Sequence, residues 1–257
     1  MQNNKDNLTK ECQKKGWFCI ELPLTDYREA WDIQTLLVSA RKKRVIDRDV
    51  VLLLEHPPIF TLGRRGGINN LTVSKSFLNK QEIPLIQVER GGNITYHGPG
   101  QLVMYPIIDL HMAGVRVADY IKNLEEVMIR CCADFGIKAD RNPINRGVWV
   151  KQNKIGSVGI AIRRGITFHG ISLNVNLRMM PFSWINPCGL QNISMTSMAQ
   201  ELSDHVSLDR VRSRMKHHTE RVFGIGLEVV KINPPKGLSM ESCFEYLDCD
   251  LDKIGLS

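Results

Sequence analysis

Tyr27, Ala30, Trp31, Gln34, Leu37 and Val38 recur at helical spacing, so residues 26–43 read as a helix with one apolar face. Asp26 precedes it and Glu29 follows three residues later, which is the spacing of a capping box. The clearest helical stripe is Val117, Tyr120, Ile121, Leu124, Val127, Met128, Cys131 and Phe135, and Gly136 after it can supply a left-handed stop. A last helix is predicted from Ser207 to Phe223, ended by Gly224. Between these lie short apolar runs, Val50 to Leu54, Ile59 to Leu62, Ile83 to Val88 and Leu102 to Ile108, which read as strands buried on both faces.

Val148 to Lys151 and Lys154 to Ile162 flank Gln152-Asn153, a tight hairpin that would put Lys154 at the start of its second strand. In Ile166 to Leu177 the apolar positions run 166, 168 and then 171, 173, 175, 177, with Gly170 at the change of phase. A β-bulge at Gly170 accounts for that change. No repeat, low-complexity tract or Pro/Gly/Ser-rich linker interrupts the alternation of helices and strands. The expected organisation is an N-terminal extension with the first strand in residues 1–24, a single α/β domain in 25–225, and a C-terminal tail in 226–257.

At 257 residues and 43% apolar content the chain is long enough to bury a core. No apolar run approaches the ~18 residues of a membrane span, and the opening Met1-Gln2-Asn3-Asn4-Lys5-Asp6 has no signal-peptide core. The expectation is a cytoplasmic protein that does not enter a membrane. Seven cysteines without a CxxC pair suggest reduced thiols, neither a disulfide framework nor a thiolate metal site. The 34 Lys+Arg against 27 Asp+Glu give a net charge of +7, which favours acidic partners. The basic runs, Arg41 to Arg44, Arg163-Arg164 and Arg210 to Lys216, lack interleaved aromatics, so an acidic protein is expected as partner and nucleic acid is not.

Candidate chemistry centres on Cys188, in the turn-forming stretch Ile185-Asn186-Pro187-Cys188-Gly189-Leu190. A free thiol titrates near ~8.5, so a nearby ammonium is needed to populate the thiolate at neutral pH, and Lys154 can be that group. The same amine can then act as the base for an incoming nucleophile. Gly91-Gly92, Gly98, Gly100, Gly159 and Gly170 are candidates to line a slot where backbone approaches substrate, or equally to form turns. His97 and His169 admit a Cys-His reading, with structural roles the simpler account. His56, His97 and His169 lack metal-ligand spacing, so no metal is expected. Gly63-Arg64-Arg65-Gly66-Gly67 resembles a glycine-basic loop of the kind biotin ligases use on nucleotide phosphate, although ending a strand is the plainer role.

Four segments in one order and spacing carry a family resemblance. They are Arg90 to Gln101 with Tyr105-Pro106, Lys154 to Gly159, His169 to Asn176, and Asn186-Pro187-Cys188-Gly189. Together they make the chain similar to the lipoyl(octanoyl)transferase family over roughly residues 25 to 205. The resemblance implies a biotin/lipoate protein ligase-like fold, a central mixed β-sheet flanked by helices with a small second sheet. It implies Cys188 as the acyl-thioester nucleophile and Lys154 as its amine. The substrate-binding segments would be Arg90, Gly91, Gly92, Asn93, Ile94, Thr95, Tyr96 and His97, then Ser157, Val158 and Gly159, then Gly170, Ile171 and Ser172. Expected partners are octanoyl-acyl carrier protein as donor, with lipoyl domains of 2-oxoacid dehydrogenase complexes and the glycine cleavage H protein as acceptors. Transfer from thioester to amide runs downhill, so no cofactor is expected. The rivals are an ATP-dependent lipoate or biotin protein ligase, which needs no nucleophilic cysteine, and a non-catalytic protein that binds acyl carriers or lipoyl domains.

Overall fold

The computed structural model describes residues 16–143, 145–187 and 193–231. Cys188 lies outside the described residues, as do Cys12, Cys243 and Cys249. The elements in chain order are β1 (Trp17–Leu24), α1 (Tyr27–Lys42), β2 (Val50–Glu55), β3 (Ile59–Leu62), α2 (Lys75–Lys80), β4 (Leu85–Gln87), β5 (Ile94–His97) and β6 (Gln101–Ile107). They continue with α3 (Leu110–Ala113), α4 (Val117–Ala133), β7 (Asp140–Arg141), β8 (Val148–Val150), β9 (Asn153–Arg163) and β10 (Ile166–Asn174). The last are β11 (Ser194–Met195), α5 (Met198–Leu202), α6 (Leu208–Phe223) and β12 (Leu227–Lys231). Among the described residues, no helix is long and apolar enough to cross a membrane.

The helices form where side chains complete their ends. Asp26 accepts from the Arg28 and Glu29 amides at the start of α1, and Ser207 accepts from Arg210 N at the start of α6. Gly224 closes α6 in the left-handed conformation, and Gly136, at φ +77°, lies three residues beyond the end of α4.

The main sheet runs β12-β1-β2-β6-β10-β9-β8-β7, with β11 added against β9. It is mixed: β1 is parallel to β12 and β2, β11 is parallel to β9, and the other pairings are antiparallel. Residues 227–231 thus open the expected tail as a strand beside β1. Strand alternation sends β2 residues to two cores. Val50, Leu52 and Leu54 meet α1, while Val51 and Leu53 join the α4 and α6 side. Continuous apolar runs are therefore what this position in the sheet requires. A second sheet, β4-β3-β5, has an apolar cluster of its own around Phe60, Ile94 and Tyr96, and the expected strand at 83–88 is there as the shorter β4, parallel to β3. The observed architecture is a mixed central sheet flanked by helices with a small second sheet.

The phase change in β10 has a different cause from the bulge expected at Gly170. Pairing with β9 runs one for one from Ile166↔Arg163 to Leu173↔Gly156, with no extra residue. Because both faces are covered, Ile166 and Phe168 pack with α1 while Ile171 and Leu173 pack on the opposite core. His169 adopts φ +54°, held by a hydrogen bond from its own amide to Gln34 Oε1 of α1 at 2.7 Å. Gly170 is required next to it for space. A β-carbon there would lie 2.1 Å from Met104 O and 2.8 Å from Pro106 Cδ.

Candidate functional site

Five elements converge on one cleft. The segment Arg90 to Thr95 and His97 forms one wall, Lys154 and Ser157 to Gly159 of β9 another, and His169 to Ser172 of β10 a third, with Tyr27 and Tyr105 between them. Its free volume is about 60 Å³, which suits a slender chain segment. Every position of the three expected substrate-binding segments lines it except Tyr96, and of the glycines expected along the slot Gly98 and Gly100 do not line it: Gly98 packs against the Tyr96 ring, and Gly100, at φ +86°, against the Asn176 backbone. Strand alternation turns Tyr96 away from the side of Thr95 and His97, and its ring packs against Phe60 and Phe182 with centroids 5.1 and 5.7 Å apart.

Arg90 is buried and turned inward. Its Nη2 donates to Thr61 O at 2.7 Å and Thr61 Oγ1 at 2.8 Å, and its Nη1 donates to Gly91 O at 3.0 Å. Gly91 N bonds Ile160 O at 2.8 Å, so the wall is stitched to β9. Arg90 thereby fixes the shape of its own loop.

Lys154 is only 2% exposed, and its Nζ donates to Asn145 Oδ1 at 2.7 Å. The Trp149 ring lies 5.5 Å from the same nitrogen. The hairpin turns one residue earlier than its composition suggests, at Lys151-Gln152 with Lys151 at φ +54°, so Lys154 is the second residue of β9 and pairs with Trp149. Asn145 belongs to the loop before β8. That loop is held from α4, where buried Glu125 accepts from Gly147 N at 2.9 Å and faces Arg141 Nε at 3.4 Å. Gly147, at φ +123°, lets the loop lie across the lysine, since a β-carbon there would sit 2.6 Å from Lys154 Cε. A neutral amide oxygen thus fixes the direction of the amine. No sequence pattern pointed to Asn145, because its contact spans two strands and a turn.

The segment expected to carry the nucleophile is bracketed on both sides. Before it, Ile185 bridges Leu71 and Asn186 N bonds Asn70 O at 2.8 Å. After it, β11 pairs with β9 so that Met195 lies opposite Lys154, and Thr196 N bonds Lys154 O at 2.9 Å. The chain before Cys188 is thus tied through Asn186 to Asn70, and the chain from Ser194 onward lies beside the lysine backbone.

Three buried histidines cluster here, His97 and His169 lining the cleft and His56 beside them. His56 Nδ1 faces Thr25 O at 2.7 Å and so carries the proton, which leaves Nε2 to accept from Tyr105 Oη at 2.8 Å. Gln101 Nε2 donates to Asn174 Oδ1 at 2.9 Å, so Gln101 Oε1 is the acceptor for His97 Nδ1 at 2.7 Å. His97 Nε2 and His169 Nε2 have no hydrogen-bond partner among the described residues. Burial holds all three neutral: it lowers His56 to about 4 and His169 to about 3, and it takes His97 well below its ordinary range. Burial likewise pushes the Tyr27 hydroxyl up to about 12. A neutral, weakly basic imidazole is a poor general base at neutral pH, which leaves the amine of Lys154 as the candidate proton carrier.

The described cysteines do not compete as nucleophiles. Cys131, in the helical stripe expected from sequence, and Cys132 lie on the buried face of α4, and Cys19 is equally buried. Burial pushes the Cys19 and Cys132 thiols up to about 12, far from the thiolate.

The family of the lipoyl protein ligase A/B catalytic domain matches residues 26–220. An octanoyltransferase of Desulfotalea psychrophila is 46% identical over 209 residues, covering 80% of this chain and 94% of that protein. One from Syntrophobacter fumaroxidans is 46% identical over 208 residues, covering 80% and 90%. Among solved structures, a lipoate-protein ligase A bound with ATP superimposes with a TM-score of 0.66 at 16% identity, covering 95% of this chain and all of that one. A bipartite lipoate protein ligase from Thermoplasma acidophilum gives 0.65 at 16% identity, covering 95% and 98%. The ligases share the fold; the octanoyltransferases share the sequence.

Proposed function

The chain belongs to the lipoyl protein ligase A/B catalytic-domain family and acts as an octanoyltransferase in protein lipoylation, and we propose that it does so through a thioester on Cys188 with Lys154 as the proton carrier. The donor in this reading is octanoyl-acyl carrier protein. The acceptor is a lysine of a lipoyl domain, whether in a 2-oxoacid dehydrogenase complex or in the glycine cleavage H protein.

The Cys188 thiolate adds to the thioester carbonyl of the donor. The carbon–sulfur bond to the carrier's thiol then breaks, and the departing thiolate takes a proton from Lys154 Nζ. In the second half-reaction the ε-amine of the acceptor lysine adds to the acyl-Cys188 carbonyl and gives a proton to Lys154 Nζ. The bond to Cys188 breaks, the amide is released, and thiolate and ammonium are restored. Each proton and electron pair is accounted for, and no ATP enters.

The observation that carries this reading is the placement of Lys154. It is buried at the end of a narrow cleft, its Nζ is aimed by Asn145, and its backbone is paired with the strand that follows the Cys188 segment. A ligase reading is weaker because the close relatives are octanoyltransferases, whereas likeness to the ligases is confined to the fold. The test is incubation with octanoyl-carrier protein alone, without ATP. One octanoyl adduct per chain should form on Cys188, come off with hydroxylamine, and discharge onto an apo lipoyl domain added later. An adduct that needs ATP, or that appears only with both substrates present, would overturn the scheme.

A further inference from the structure

Gly63-Arg64-Arg65-Gly66-Gly67 is a motif with no part in the reaction just described. It leaves β3 and turns back on itself, Gly66 N bonding Gly63 O at 2.7 Å. Its backbone is fastened to the wall of the cleft at three points: Gly63 N to Asn93 O at 3.1 Å, Arg64 N to Arg90 O at 2.9 Å, and Arg65 N to Gly92 O at 3.1 Å. The approach is close enough to require glycine, since a β-carbon on Gly63 would lie 2.6 Å from Gly92 O. Further along, Asn70 Nδ2 donates to Asn93 Oδ1 at 3.0 Å, and Asn70 O accepts from Asn186 N, two residues before Cys188. The loop therefore joins the cleft wall to the segment expected to hold the nucleophile.

Both arginine side chains on this loop are exposed, and neither has a hydrogen bond or ion pair with a described residue. The acidic residue nearest in sequence to the wall, Glu89, is already paired with Arg163 at 2.6 Å. Arg90 has its guanidinium bound to Thr61 and Gly91 on the inner side. Two exposed arginines thus belong to a loop whose backbone is bonded to the wall of a cleft lined by apolar groups, neutral histidines and Lys154. A donor for such a cleft needs a slender, uncharged arm that ends in a thioester and carries a fixed negative charge farther out.

Resting on the reading that the donor is an acyl-phosphopantetheine thioester, we propose that Arg64 and Arg65 bind the phosphate of that arm at the rim of the cleft. Guanidinium forks suit phosphate oxygens, and the bonds from the Arg64 and Arg65 amides to Arg90 O and Gly92 O fix where both side chains start. The acyl end then lies along the Gly91-Gly92 and Gly159 walls toward Lys154.

The test compares three donors on the full chain: octanoyl-pantetheine, octanoyl-4′-phosphopantetheine and octanoyl-carrier protein. For the parent protein, kcat/KM should favour the phosphorylated free thioester over the unphosphorylated one by about tenfold, as for a charge-assisted contact partly screened by solvent. In R64Q/R65Q that ratio should fall to about one, with added 4′-phosphopantetheine no longer competing. Raising the salt concentration should shrink the parent ratio in the same direction. A parent ratio near one would overturn the assignment, and so would a ratio that survives in R64Q/R65Q. A loss confined to the carrier-protein donor would also overturn it, because the arginines would then be meeting the acidic face of that protein. If the parent transfers from none of the three donors, the thioester reading itself fails.

Discussion

Lys154→Met separates catalysis from folding at the buried amine of the cleft. Methionine is unbranched and close in length, so it can fill the space of the lysine stem. The structural cost is the orphaned Asn145 Oδ1, which now accepts at 2.7 Å and would lose its donor. An unsatisfied buried acceptor costs about 1–3 kcal/mol, partly offset because the amine no longer has to be desolvated. Against a typical total of ~5–15 kcal/mol the variant should fold. The loss in rate is larger if the amine carries protons in both half-reactions, about 10²- to 10⁴-fold, equivalent to roughly 3–5 kcal/mol of barrier. Urea unfolding gives the first quantity, and single-turnover acylation followed by intact mass gives the second. The pH profile for alkylation of Cys188 gives a third, and it should move up towards that of an ordinary thiol near ~8.5. Cys19, Cys131 and Cys132 should stay unlabelled in the parent and the variant alike. A folded variant that retains transfer within about tenfold of the parent would refute the proton-carrier role. An unmoved alkylation profile would refute the partnership with the thiol.

Cys188→Ala should abolish transfer and leave the unfolding midpoint where it was, since it removes a nucleophile and little apolar volume; turnover by this variant would point to another route. Asn145→Ala keeps the amine but frees its direction, so single-turnover acylation should slow about tenfold, with much of the rate restored by Asn145→Gln or Asn145→Ser. Gly170→Ala forces a β-carbon against Met104 O in the middle of the sheet and should cost about 1–3 kcal/mol or more, read as a drop of several degrees in Tm. Acid should destabilise the fold through His56, His97 and His169, all held below their unfolded value of ~6.5. Below pH ~6.5 the unfolded chain takes up protons that the folded chain refuses, so their stabilisation is complete above that pH and is lost as pH falls toward about 4. At pH 5 the loss is on the order of 2 kcal/mol per histidine, and a flat urea midpoint from pH 7 to 5 would contradict it.

The segments of the cleft were legible because each is a local cluster with chemical character: Arg90 to His97, Lys154 to Gly159, and Gly170 to Ser172 are short runs that the fold brings together intact. The helices were legible for a related reason. Their periodicity and their caps, Asp26, Ser207 and Gly224, are set within a few residues of chain. The tertiary structure alone decided whatever depends on a partner far along the chain. Tyr96 sits in the middle of a binding segment, yet the alternation of β5 against the second sheet turns it into the packing with Phe60 and Phe182. The phase change in β10 looked like a bulge because composition does not reveal that both faces of the strand are covered, nor that Gln34 on α1 would hold His169 in a left-handed conformation. The partner of Lys154 was hidden for the same reason, since Asn145 reaches it only once Glu125 of α4 has anchored the loop and Gly147 has let it lie close. Which groups the protein has, and which local turns they favour, can be read along the chain; the distances and directions that make them a site come from contacts between strands and helices that are remote in the chain.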